Sequence, residues 1–121
     1  MIQKLYILTL LLAFGFSECI EGDCKNGHGT MTYADGRPYY LGEWKNKNPH
    51  GQGTIIYLNG DKYVGEFKDG LYDGWGILTK PNEAPQIGIW FNDIFVEEKT
   101  FTEVINYLKA KYPESDLLKD Y

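Results

Sequence analysis

A motif that returns at a fixed spacing constrains this chain more than any other feature. Tyr40-Leu41-Gly42-Glu43-Trp44-Lys45 recurs 23 residues on as Tyr63-Val64-Gly65-Glu66-Phe67-Lys68, and 23 further on as Gln86-Ile87-Gly88-Ile89-Trp90-Phe91. A second pattern lies between the first two copies, His50-Gly51-Gln52-Gly53-Thr54. It is echoed before by Asn26-Gly27-His28-Gly29-Thr30 and after by Asp73-Gly74-Trp75-Gly76-Ile77. Such a period means one supersecondary unit stacked on copies of itself. It also argues against catalysis, because the recurring residues are needed to fold each unit.

Within a copy the side chains alternate with the strand period of two. Tyr40, Gly42 and Trp44 share one face, as do Tyr63, Gly65 and Phe67. A glycine in mid-strand weakens a sheet, so its recurrence between aromatics implies that a neighbouring ring needs the room. Thr54 to Tyr57 and Trp75 to Leu78 are rich in strand formers. Asp35-Gly36, Asn59-Gly60 and Asp69-Gly70 are turn signals flanked by such segments. The 14 Gly and the 19 aromatics (10 Tyr, 6 Phe, 3 Trp) suit short strands, tight turns and a shallow core. The expected fold is all-β with a C-terminal α-helix, a single-layer antiparallel meander of β-hairpins.

The pattern Tyr-x-Gly-x-Trp/Phe-Lys, then Gly-x-Gly, then Tyr-x-x-Gly resembles the MORN (membrane occupation and recognition nexus) repeat, over roughly Ile20 to Asn92. More narrowly, the chain looks like a small exported bacterial-type MORN protein. Two well-formed units, Tyr40 to Lys62 and Tyr63 to Pro85, stand between two degenerate ones. In the first of these Cys24 takes the place of Trp44, and in the last Gln86 takes that of the tyrosine. Degenerate end units read as caps. The resemblance implies a binding role, with membrane association or service beside an enzyme domain as the rival functions.

Beyond Asn92 the texture changes. Thr100-Phe101-Thr102-Glu103 has the spacing of a capping box, and Phe101, Val104, Ile105, Leu108 and Tyr112 form an apolar stripe ended by Pro113. A helix of about 12 residues is marginal alone in water, so the stripe needs a surface. The open sheet face or the final strand is the nearest one, and a partner protein is the other. The expected division is residues 1–18 as a signal peptide, 19–95 as the hairpin array, and 96–121 as helix and tail.

The first segment reads as an export signal. Lys4 precedes Leu5 to Phe16, a run broken only by Thr9 and Gly15 and too short to span a bilayer, which takes about 20 residues. The expected location is therefore exported: periplasmic, secreted or membrane-anchored. Cys19 and Cys24 follow and are the only cysteines. They can close a small disulfide, or Cys19 can be the lipid-modified N-terminus of a lipoprotein, which would leave Cys24 unpaired. Removing residues 1–17 leaves a net charge of about −6, which disfavours nucleic acid and anionic lipid as partners.

No catalytic, metal or cofactor site is expected. His28 and His50 read as loop residues without a paired nucleophile, and two Cys without clustered His supply too few metal ligands. Asp61, Glu66, Asp69 and Asp73 lack the order of a calcium loop. Tyr40, Trp44, Tyr63, Phe67 and Trp75 are the candidate contact surface for a protein partner, with membrane lipid as the other candidate. Repeated aromatics in a single-layer sheet are raw material for recognition.

Overall fold

The computed structural model describes residues 17–121. The expected signal segment therefore lies almost entirely outside the described residues. Eight strands follow one another: β1 (Glu18–Gly22), β2 (Gly27–Thr32), β3 (Pro38–Lys45), β4 (Asn48–Ile56), β5 (Lys62–Lys68), β6 (Leu71–Thr79), β7 (Gln86–Phe91) and β8 (Ile94–Glu98). They form one antiparallel sheet whose spatial order is the chain order, so the meander expected from the repeat is the architecture found. Helix α1 (Phe101–Lys111) and a 3-10 turn (Asp116–Leu118) complete the chain.

The hairpin tips correct three details of the sequence reading. Asn46–Lys47, Asp69–Gly70 and Asn92–Asp93 all take positive φ, giving two-residue turns 23 residues apart that match the right-handed twist of the strands. The first of these turns makes Asn48-Pro49-His50 the start of β4, not a loop. His28 likewise stands in β2. The last turn adds β8, carrying the sheet to Glu98, past the expected boundary at residue 95. His50 Nδ1 accepts the Asp69 N–H at 3.5 Å. Asn26 Oδ1 does the same for Asn46 (3.1 Å) and Asp73 Oδ2 for Asn92 (3.4 Å), so His50 serves as a tip cap.

One sheet face carries the aromatic rows. Tyr40 packs edge-on against Trp44 (4.8 Å) and Phe67 (5.2 Å), Tyr63 against Phe67 (5.1 Å) and Trp90 (5.6 Å), and Tyr63 stacks flat on Tyr72 (3.8 Å). Polar ring tips end on backbone carbonyls. Tyr40 donates to Glu43 O (2.8 Å), Tyr63 to Glu66 O (3.0 Å), Trp44 to Gly29 O (3.0 Å) and Trp90 to Gly76 O (3.2 Å). Such satisfaction is what allows Tyr and Trp to be buried.

The glycines make this packing fit, though not the ones the sequence singled out. A Cβ on Gly53 would lie 2.2 Å from Tyr40 Oη, and one on Gly76 2.1 Å from Tyr63 Oη. Each tyrosine ring thus lies over the glycine of the next strand. Gly42 and Gly65 face those same glycines across the ladder, where a Cβ would meet the partner Cα at 2.5 Å. Their absent side chains let two backbones approach, and the rings' seat is one strand over.

The buried phenols fix a pH dependence. Desolvation, reinforced by nearby Glu43 for Tyr40 and Glu66 for Tyr63, pushes both hydroxyls well above the ordinary phenol range. An unfolded phenol ionises near about pH 10, while the folded one stays neutral. The stability this contributes is whole below about pH 10 and is lost as pH rises above it. We expect an alkaline unfolding transition that begins near pH 10. Phenolate absorbance at 295 nm should rise in step with loss of near-ultraviolet circular dichroism. A smooth phenolate titration with the fold intact would contradict the burial.

Helix α1 covers part of the other face. Val104, Ile105 and Leu108 are buried against Val64 and Ile77, joined by Leu118. The capping box forms as expected: Thr100 Oγ1 accepts the Glu103 N–H (3.1 Å), and Glu103 Oε2 accepts the Thr100 N–H (2.8 Å). The surface the helix needed is thus the sheet face over β6 and β7. Phe101 leaves the expected stripe and stands exposed beside Tyr121.

Candidate functional site

The expected contact residues are divided between the two faces, and most are inaccessible. Tyr40 and Tyr63 are 0% exposed, Phe67 3% and Trp44 7%. Trp75 points to the opposite side, half-buried, with its ring stacked on Tyr107 at 4.5 Å. The aromatic ladder is core, and its rings cannot be the contact surface. The physical reason is that neighbouring units interdigitate their rings, so one layer of strands buries a full row of aromatics without a second sheet.

Cys19 and Cys24 are joined by a disulfide, with their Cα atoms 6.0 Å apart. Cys24 sits in the aromatic cluster with Trp44, so the bond ties β1 to the end of the core. Asp23 between them accepts the Lys25 and Asn26 amides (2.9 and 3.1 Å). Those bonds, Asn26 first, hold its carboxyl below the usual range.

The helix-bearing face shows what the recurring glutamates do. Glu66 is buried, and its Oε1 accepts the Trp75 N–H at 3.0 Å. Its Oε2 takes the Lys111 ammonium and the Tyr112 hydroxyl, both at 2.6 Å. The bond to Glu66 raises the Lys111 pKa, and burial followed by its own hydrogen bond to Glu66 raises that of Tyr112. One unit earlier Glu43 Oε2 accepts the Gln52 N–H at 2.6 Å, while its Oε1 meets, among the described residues, only His28 Nε2 at 4.0 Å. The central residues of the three Gly-x-Gly patterns therefore differ in their cover. Trp75 lies under α1, Gln52 is held by the Ser115 hydroxyl (2.5 Å), and His28 is open to solvent.

Between the tail after α1 and strands β1–β3 a cleft of about 600 Å³ opens, floored by Gly29, Thr30, Leu41 and Gly42. It continues past His28, Glu114 and Ser115 into a recess of about 270 Å³ that reaches Glu43, Gln52 and Lys111. Sequence reasoning missed Glu43, Gln52 and Ser115 as a group. The spacing of Glu43 to Glu66 was visible as a repeat, but nothing local tied Ser115 to a strand sixty residues earlier. Among the described residues no group of three or more His, Cys, Asp or Glu side chains is placed to hold a metal ion. No helix among them is long and apolar enough to cross a membrane.

Fold and repeat geometry together define the class, an antiparallel hairpin-repeat array capped by one helix. Residues 25–36, 40–62 and 63–83 match the family model of the MORN repeat, and over these residues the chain belongs to the MORN repeat family. It is 37% identical over 83 residues to an inactive protein tyrosine kinase, pTKL, of Plasmodium falciparum, an alignment covering 68% of this chain and 5% of that protein. Over 77 residues it is 36% identical to the human ALS2 C-terminal-like protein, covering 61% of this chain and 8% of the relative. Over 45 residues it is 42% identical to rat alsin, 37% of this chain and 3% of the relative. The chain thus spans 8% or less of these relatives. MORN repeats are in general protein- or membrane-binding modules.

Proposed function

We propose that this chain is a non-catalytic, exported scaffold module that makes a protein contact through its last hairpin. The carrying observation is where large apolar side chains remain exposed once the rings are committed to the core. Phe91 (59% exposed) faces Ile94 (63%) across β7 and β8, with Val96 (55%) beside them on the edge strand. An apolar cluster on a sheet edge is a feature that a protein otherwise blunts, and it suits a partner that adds both side chains and backbone pairing. A photo-crosslinking residue placed at Ile94 tests this directly. A discrete protein adduct, absent when the probe stands at Glu83 and weakened by Phe91→Asp, is the expected result. A lipid adduct, or salt-sensitive co-sedimentation with anionic vesicles, would replace the protein reading with the membrane one.

Export is part of the same reading. The apolar run after Lys4 supports it, as does a Cys19–Cys24 pair suited to an oxidising compartment. The mass spectrum of the chain recovered outside the cytoplasm should show an N-terminus between residues 16 and 19 and a deficit of two hydrogens. A diacylglycerol adduct on Cys19 would overturn the disulfide and make the chain a lipoprotein.

A further inference from the structure

The repeat sets Trp75, Gln52 and His28 in a row on the helix-bearing face, and the chain's own C-terminal segment covers Trp75 together with Glu66. It touches Gln52 but not, among the described residues, the second oxygen of Glu43, and leaves His28 open. At the third unit α1 lays Tyr107 over Trp75 and delivers Lys111 to Glu66. At the second, Ser115 reaches Gln52. Past that point the segment turns away, and His28, Leu41 and the second oxygen of Glu43 border an open cleft. We propose that this cleft binds a lysine- or arginine-bearing peptide segment of a partner protein, whose cation takes Glu43 as Lys111 takes Glu66.

Three observations converge on that occupant. The first is the internal template. Glu43 and Glu66 hold the same backbone position of the next strand with one oxygen, and at Glu66 the other oxygen is engaged by a lysine ammonium beside a tyrosine hydroxyl. The second is charge. Glu21, Glu43, Glu114 and Asp116 border the cleft against His28 and Lys111, and Lys111 is already paired. The third is independent of charge. Gln52 in the recess is 2% exposed, and its amide Nε2 has no hydrogen-bond partner among the described residues. A buried amide donor left unmade is costly, and a peptide carbonyl is the acceptor that satisfies it. Gly29 and Gly42 leave room for a backbone between Thr30 and Leu41, and the volume lies in the range of ligand clefts.

The site is remote from the Phe91–Ile94 edge in sequence and in the sheet, so failure of either proposal leaves the other standing. The test uses the full chain and a fluorescein-labelled peptide, Leu-Lys-Ala-Lys-Tyr, copied from the segment that seats Lys111. Glu43→Gln keeps an acceptor for the Gln52 N–H while removing the charge. Glu114→Lys reverses a charge on the exposed tail, and Glu83→Gln is the remote control. Fluorescence anisotropy should show saturable binding. Glu43→Gln, Glu114→Lys, or lysine-to-glutamine changes in the peptide should each weaken it at least tenfold, with Glu83→Gln without effect. In spectra of isotope-labelled protein the Gln52 side-chain amide should shift on binding. Equal affinity for wild type and Glu43→Gln, no saturable binding, or displacement by spermidine at the peptide's own concentration would overturn the proposal. The last result would reduce the cleft to a counter-ion site.

Discussion

Gly76→Val is expected to leave little folded protein at room temperature. A Cβ at that position would lie 2.1 Å from Tyr63 Oη and 2.4 Å from its Cζ, closer than any side-chain carbon stands to a neighbour. The strand cannot retreat, because Gly76 is paired with Gly65 on one side and Gly88 on the other. The Tyr63 ring must therefore leave its seat. That breaks its bond to Glu66 O and its packing on Phe67, Tyr72 and Trp90. Losing a buried aromatic from a core costs about 3–5 kcal/mol, against a total stability of about 5–15 kcal/mol. The branched valine adds overpacking of about 1–3 kcal/mol. Circular dichroism and a thermal melt read the outcome, and a cooperative transition near the wild-type temperature would show that the ring is not seated on Gly76.

The second large effect is Trp44→Ala. If the aromatic ladder were a contact surface, this change would weaken binding and spare the fold. With Trp44 7% exposed, edge-on to Tyr40 and bonded through its indole to Gly29 O, it should instead lower stability by about 3–5 kcal/mol. Denaturant unfolding followed by far-ultraviolet circular dichroism gives the number. An unchanged midpoint would return Trp44 to the surface.

The difference between these two readings of Trp44 marks where the sequence stops being legible. Periodicity alone established the hairpin unit, because Tyr40, Gly42 and Trp44 repeat at Tyr63, Gly65 and Phe67 in strand register. The helix was legible for the same reason: Thr100 and Glu103 cap it locally, and Val104, Ile105 and Leu108 carry its stripe. Which face of the sheet lay open was not legible. It depends on how Tyr40 of one unit reaches Phe67 of the next, a contact between strands that no window of sequence contains. The strand β8 was hidden differently. Asn92–Asp93 lacks the glycine that announces a two-residue turn, although its positive φ values make the same turn as Asp69–Gly70. The seat at Glu43 was hidden by distance, since its neighbours Glu114 and Ser115 come from the far end of the chain.

Hydroxyl-radical footprinting of the full chain, read by mass spectrometry residue by residue, weighs the aromatic core against an aromatic contact surface in one experiment. Phe91, Phe101 and Tyr121 should oxidise readily, while Tyr40, Trp44, Tyr63 and Trp90 stay protected until denaturant is added. Fast oxidation of Tyr40, Trp44 and Tyr63 in the native protein would contradict the burial and restore the ladder as a surface for recognition.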